Sequence, residues 1–463
     1  MKSHVLLGIL LPSIVTATQV ANFNVSASVA ADYDCKDTCY KAFSAGLAID
    51  AAAYGSLYDD NFYATAKNFS SSAPGDILKF QPVNPGELSS SVPKGTTAYR
   101  LQYTSVDLFG RTVPVTAFIA FPYANRTNGH LFRTVAWAHG TSGVFKGCAP
   151  SVMPSLYEYG SWSYLIERGY AVVATDYAGL GNNYTGHPYV ALSAHANDVF
   201  YSVVAARKLF SGSLTTEWMS VGHSQGGGTV WSLAESPLVQ NSSDLAGKYI
   251  GTVAQAPGAF MGKTALAAVE TAQDSSSDVG SSRGVLGELG WAVIGVQNIY
   301  PNETFDWIDP TFRKRLGLAR RAQACYVSME SIATDLTIDQ VLDFSNEETA
   351  RQVQRIIALI DRLSAVGLKK SHQPVLIVQG LEDVSVLPQV VDTAYNTTCH
   401  MGSEVHLQLY PGLDHDPVIA AAAPSFLQWM DDRFDGLKTR NACSRETVKP
   451  FDAVNMYAPA DED

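Results

Sequence analysis

Basic residues are scarce in this chain: 32 Lys and Arg against 44 Asp and Glu leave its 463 residues with a formal net charge of −12. Phosphate backbones are held chiefly by Lys and Arg, so nucleic acid is excluded as a partner. Long apolar runs are scarce too. The run at residues 5–15 (VLLGILLPSIV) is half the roughly 20 residues that a spanning helix needs, and Pro12 interrupts it. With Lys2 before it and small residues around Ala17 to Ala21 after it, residues 1–20 read as a secretory signal peptide and not as an anchor. Internal repeats, an H-E-x-x-H pair and a nucleotide-binding glycine fingerprint are all missing. No repeat array, metal site or organic cofactor is therefore expected. Charged residues make up only 16% and hydrophobic ones 46%, which excludes disorder as the main state and leaves a globular chain with a large core.

Cysteine is sparse but even in number, at positions 35, 39, 148, 325, 399 and 443. In a secreted chain an even count implies disulfides, three for this set. Zinc is the alternative, but Cys35 and Cys39 lack a second ligand pair at finger-like spacing. Seven N-x-S/T sequons, at Asn24, Asn68, Asn125, Asn183, Asn241, Asn302 and Asn396, are expected glycan acceptors and hence surface positions.

Residues 21–92 carry Ser, Pro and Gly clusters without sustained periodicity, which reads as an irregular N-terminal arm with a helix or two. Strand patterns begin at 97–107 (TAYRLQYTSVD) and 114–122 (PVTAFIAFP), followed by a short buried strand at 133–140. Strands and helices then alternate: helix 161–169, strand 170–181, helix 193–210 with Val199, Val203 and Ala206 on one face, 218–228 as a strand ending in a glycine-rich turn, and strand 250–258. Later strands fall at 373–380 and 404–412, with a final helix near 424–435. Runs buried on both faces and separated by helices predict an α/β fold, a mainly parallel sheet covered on both sides. The core is expected over 93–258 and 371–440, a helical cap insertion over 259–370, and a tail over 441–463. Such a cap would sit above the C-terminal edge of the sheet, where open α/β sheets bind ligands.

Gly222-His223-Ser224-Gln225-Gly226 fits G-x-S-x-G. The motif describes a strained strand-to-helix turn that leaves room only for glycine beside the serine and pushes the hydroxyl outward. Gly280-Ser281-Ser282-Arg283-Gly284 matches the pattern equally well but follows a polar stretch; context selects Ser224 as nucleophile.

A serine hydroxyl needs an imidazole to take its proton and a carboxylate to orient that imidazole. In this turn-based arrangement the chain order is Ser, acid, His. Asp383, three residues past a late strand, is the expected acid, with Glu382 as its neighbouring rival. Of His400, His406 and His415, only His415 lies in a loop between a strand and a terminal helix, and it is the expected base. Asp414 and Asp416 flank it, but chain neighbours seldom aim at the ring. The oxyanion donors are assigned to the N–H of Gln225 and of Thr141, with Gly140 or Ser142 as alternatives to Thr141. His139 reads as a loop-ordering residue.

Taken in order, HGTSG with CAPS, DYAGLG, GHPYV, GHSQGGG, QGLEDVSV and PGLDHDP resemble the fungal secretory lipase family of the α/β-hydrolase superfamily, over residues 95–430. The resemblance implies ester hydrolysis, a helical lid between nucleophile and acid, and transient contact of that cap with a lipid interface. It also implies disulfides Cys148–Cys325 and Cys399–Cys443, leaving Cys35 to pair with Cys39.

The expected function is thus a secreted serine carboxylic-ester hydrolase, a lipase or esterase acting on a small-molecule or lipid ester through an acyl-enzyme. The same three residues would serve an acyltransferase of secondary metabolism or a peptidase. A non-catalytic secreted binding protein is the reading from another class, and such proteins typically lose a triad member. Nothing in the sequence sets an oligomeric state.

Overall fold

The computed structural model describes residues 19–125, 131–241, 243–273, 281–343 and 345–458. The expected signal peptide lies outside them save for its last two residues. Ten strands form one sheet: β1 (Ile77–Pro82), β2 (Thr97–Val106), β3 (Thr112–Phe121), β4 (Phe132–Ala138), β5 (Ala171–Thr175), β6 (Leu214–His223), β7 (Lys248–Gln255), β8 (Val375–Gly380), β9 (Val405–Tyr410) and β10 (Ser444–Thr447). Their order is β1-β2-β3-β5-β4-β6-β7-β8-β9-β10. The pairs β1–β2, β2–β3 and β3–β5 are antiparallel, and every pair from β5–β4 to β9–β10 is parallel.

Alternation along a strand sends successive side chains to opposite faces, and here both faces are covered. Val135 and Trp137 of β4 enter one buried cluster, whereas Ala136 and Ala138 enter another. Leu376 and Val378 of β8 follow the first pair, Val375 and Ile377 the second. The helix Leu192–Leu209 lays Val199, Val203 and Ala206, all fully buried, against the sheet. The helix Pro417–Phe434 packs on β7 and β8. It begins seven residues earlier than the pattern predicts: Pro417 occupies the first turn, where a missing N–H costs nothing, and Pro424 lies inside the helix.

The segments on either side of the expected core each add an edge strand. β1 comes from the N-terminal arm and β10 from the C-terminal tail. Both are short, with mostly half-buried or exposed residues, so neither carries the apolar run that marks the inner strands. The arm also contains a 17-residue helix, Asp37–Ala53. Between β7 and β8 lie the helices Met261–Gln273, Ser281–Ile299, Pro310–Ala322, Tyr326–Ser331 and Glu347–Leu363. Among the described residues no helix is long and apolar enough to cross a membrane.

The arm and this helical insertion are tied together. The Asp50 carboxylate, 1% exposed, accepts from Val327 N at 3.1 Å, Ser328 N at 2.9 Å and Ser328 Oγ at 2.6 Å. Disulfides join Cys35 to Cys39, Cys148 to Cys325 and Cys399 to Cys443. The second links the loop after β4 to the insertion across 177 residues of chain.

Candidate active site

Ser224 stands between the end of β6 and the helix Gln225–Ala234, with φ 58° and ψ −124°. A non-glycine residue adopts that backbone only where its surroundings hold it there. Here they do: Ser224 N donates to Gln255 O at 3.0 Å, and Ser224 O accepts from Gly258 N at 2.8 Å and Gly228 N at 3.1 Å. The glycines explain themselves by space. A Cβ on Gly226 would lie 1.9 Å from Ala138 O, and one on Gly222 would lie 2.3 Å from Gly226 O. Sheet register sets this crowding, because Gly222 of β6 is flanked by Ala138 of β4 and Ala254 of β7.

The acid and the base sit on two loops stitched to one another. β8 and β9 end in register, Gly380 opposite Tyr410. Leu381 N then donates to Tyr410 O at 3.0 Å and Glu382 N to Leu413 O at 3.0 Å. Gly380 permits the close pass, since a Cβ there would stand 2.3 Å from Leu413 O. Across this seam His415 Nδ1–H donates to Asp383 Oδ2 at 2.9 Å. The same oxygen accepts from Gln379 Nε2 at 2.9 Å, and Oδ1 accepts from Val386 N at 2.7 Å. Asp383 is 3% exposed and His415 8%. An acid so fully supplied with donors holds its imidazole in one orientation.

The rivals stand elsewhere. Glu382 is exposed. Asp414 Oδ1 braces the loop, accepting from His415 N at 2.8 Å. His400 turns back on Asn396 O at 2.7 Å at the end of the helix Pro388–His400. His406, within β9, lies between Ser444 Oγ at 2.7 Å and Glu404 Oε1 at 3.1 Å. Ser282 falls in the helix Ser281–Ile299, and the described element before it is the helix Met261–Gln273, not a strand. The sequons at Asn24, Asn68, Asn183, Asn302 and Asn396 are exposed and Asn125 is half-buried; the Asn241 side chain lies outside the described residues.

Ser224 and His415 line one cavity of about 620 Å³, together with Gly140, Thr141 and His223. Gly140 packs directly on the serine: its missing Cβ would be 3.3 Å from Ser224 Cβ. Thr141 is held through its other groups, its Oγ1 2.7 Å from the Tyr189 hydroxyl and its carbonyl accepting from the Tyr157 hydroxyl. His139 stands 2.6 Å from Gly140 O and 3.3 Å from Asp176 O, and burial drives its pKa down to about 3. It orders the loop that carries the Thr141 amide.

Two features escaped the sequence reading. His223, the variable residue inside the serine motif, is 2% exposed. Its Nδ1 lies 3.0 Å from the Tyr159 hydroxyl and its Nε2 3.3 Å from His415 O. Burial, then the nearby His415, holds its pKa well below the ordinary histidine value, so it is a neutral strut. Behind the elbow, His139, Tyr177, His195 and His187 form a ladder of rings at 4.3, 4.5 and 5.0 Å, and His195 Nδ1 contacts Gln225 Nε2 at 3.2 Å. The available signals were the Tyr177 of DYAGLG and the His187 and Tyr189 of GHPYV. Among the described residues one group of potential metal ligands converges, His223, His415 and Asp416, with atoms within 4.8 Å of one another. The His415 Nδ1 and both His223 nitrogens already have the partners given above.

A serine held at positive φ and an oriented imidazole on one cavity are an arrangement suited to nucleophilic attack on an acyl carbon. A family model described as secretory lipase matches residues 155–442. Among solved structures, Candida antarctica lipase A is similar at 15% identity and a TM-score of 0.63, covering 87% of this chain and 90% of that one. The rice cell wall degrading esterase LipA from Xanthomonas oryzae, in a ligand-bound form, is similar at 17% identity and a TM-score of 0.62, covering 79% and 100%. No curated protein matches the chain by sequence. At these identities the solved structures show the fold, an α/β-hydrolase.

Proposed function

The chain belongs to the secretory lipase family and is a carboxylic ester hydrolase, and we propose that it works through Ser224, Asp383 and His415 by way of an acyl-enzyme. In this reading Ser224 Oγ attacks the ester carbonyl carbon while His415 Nε2 takes the hydroxyl proton. The N–H groups of Gln225 and Thr141 hold the developing oxyanion, and Asp383 stabilises the imidazolium through Nδ1. His415 returns the proton to the departing alcohol; it then deprotonates a water that attacks the acyl carbon and frees Ser224. The observation that carries the reading is the buried Asp383–His415 hydrogen bond at 2.9 Å, on the same cavity as a serine at φ 58°. The mechanism calls on no metal or organic cofactor.

Around this chemistry we read residues 259–370 as the cap and 21–92 as an arm that lines the site beside it. Secretion with removal of residues 1–20, and glycans on the exposed sequons, are parts of the same proposal, supported by the three disulfides. The test is hydrolysis of p-nitrophenyl esters from acetyl to palmitoyl by the secreted protein and by Ser224→Ala. The substitution is expected to lower turnover by roughly four orders of magnitude. Equal activity of the two proteins would refute it. Transfer to an added alcohol in preference to water would move the reaction to the acyltransferase reading.

A further inference from the structure

Rings, more than alkyl groups, form the wall around Ser224. Tyr54, Tyr157, Tyr159, Tyr189, Tyr326 and Trp291 all line its cavity. Three of the hydroxyls are occupied in holding the site: Tyr157 with Thr141 O, Tyr159 with His223 Nδ1, and Tyr189 with Thr141 Oγ1. The Tyr54 and Tyr326 hydroxyls have no hydrogen-bond partner among the described residues. Burial holds the pKa of both well above the ordinary tyrosine value, so each is a neutral phenol, able to donate and to accept.

These two residues are fixed relative to one another. Tyr54 ends the helix Asp37–Ala53, its N–H donating to Asp50 O at 2.8 Å. The Asp50 carboxylate in turn grips Val327 and Ser328, next to Tyr326. Tyr326 stacks on Trp291 at 5.2 Å and 28° and follows Cys325, which is bonded to Cys148. A wall of pinned flat rings matches ring faces, which stack on it, better than an alkyl chain, which needs a conforming apolar slot. Among the described residues the carboxylates on the cavity are Asp50, Glu288 and Asp416, with no Lys or Arg, so a negatively charged ester meets repulsion.

Resting on the ester-hydrolase reading of Ser224, we propose that the substrate is a neutral ester carried on a compact oxygenated ring system, its ring oxygens or hydroxyls bound by Tyr54 and Tyr326. Long-chain glycerides are poor substrates in this account. Losing one phenol hydroxyl leaves a substrate oxygen unpaired in the cavity, a loss of about three- to tenfold in kcat/KM.

The test compares trans-2-hydroxycyclohexyl acetate, cyclohexyl acetate and emulsified trioctanoin as substrates of the whole protein, with p-nitrophenyl acetate as the reference ester. The wild type is expected to favour the hydroxylated ring over cyclohexyl acetate and over trioctanoin by about tenfold or more, for two hydrogen bonds at the site. Tyr54→Phe and Tyr326→Phe keep the rings, and each is expected to cut the ratio of hydroxylated to plain ring by about three- to tenfold. A wild type that prefers trioctanoin, or Phe variants that leave the ratio unchanged, overturn the proposal while Ser224-dependent p-nitrophenyl acetate hydrolysis stands. Absence of that reference activity would instead remove the reading of Ser224 on which the proposal rests.

Discussion

Replacing Asp198 with Asn is expected to make the protein more tolerant of alkaline conditions, by an amount the structure fixes. Asp198 is 1% exposed on the helix Leu192–Leu209. It accepts from Ser105 Oγ at 2.5 Å and from Ala178 N at 2.9 Å. These bonds favour the charged form but do not offset burial, which raises the pKa from 3.8 to about 7. A carboxyl with a raised folded-state pKa binds its proton more tightly when folded. Its contribution to stability is therefore complete below the unfolded value of 3.8 and is lost as pH rises through about 7. Between pH 5 and pH 8 that loss amounts to about 2.5 kcal/mol. Asn cannot ionise and lacks the slope. Buried histidines work in the opposite sense, since His139 and His187 have pKa values lowered to about 3 and about 4 and destabilise the fold as pH falls below the ordinary histidine range. They are common to both proteins and cancel in the comparison. The assay is urea unfolding of wild type and Asp198→Asn at pH 5 and pH 8. The difference in unfolding free energy should move toward the variant by about 2.5 kcal/mol over that range. A constant difference, or one that moves toward the wild type, would refute the argument from burial.

Other perturbations probe the scaffold. Gly226→Ala brings a Cβ to 1.9 Å from Ala138 O; a folded variant is expected to lose about a hundredfold or more in kcat as the elbow shifts, measured on p-nitrophenyl acetate. Opening Cys148–Cys325 by paired Ser substitutions releases 177 residues of loop, worth about 5 kcal/mol in the chain-entropy account. For a chain of this size that is a fall of about 5 °C in melting temperature by calorimetry. Asp431, 4% exposed, accepts from Arg168 Nη2 at 2.6 Å and Nε at 2.9 Å, from Arg133 at 3.2 Å and from the Tyr170 hydroxyl. Asp431→Ala removes the acceptor that Arg168 and Tyr170 share, while Arg133 keeps Asp435 and the Arg168 side chain, 34% exposed, keeps access to water; the expected destabilisation is about 2 kcal/mol in urea.

The residues legible in the sequence are those whose roles are set by local chain geometry. Gly222 and Gly226 bracket a turn, and Gly380 and Gly412 mark loops at strand ends, so Ser224, Asp383 and His415 stand out as candidates from their immediate neighbours; in the structure Ser224 and His415 line one cavity and His415 bonds Asp383. The inner strands were legible for a similar reason, since a run such as AVVAT in β5 is buried on both faces. β1 and β10 were not, because an edge strand half-exposed to solvent needs no apolar pattern. The aromatic wall was hidden by distance along the chain. Tyr54, Tyr157, Tyr189 and Tyr326 come from segments far apart in the chain, and the Asp50–Ser328 contact that ties the Tyr54 segment to the Tyr326 segment spans 278 residues.

The most direct test of the central claim is covalent labelling with paraoxon, read by intact mass and peptide mapping. An activated serine in a triad is phosphorylated, whereas ordinary serines are inert. The account predicts one diethylphosphoryl group per chain, on Ser224, with activity lost in proportion and no labelling in Ser224→Ala. Label on another serine, or full ester hydrolysis with Ser224 blocked, would contradict it.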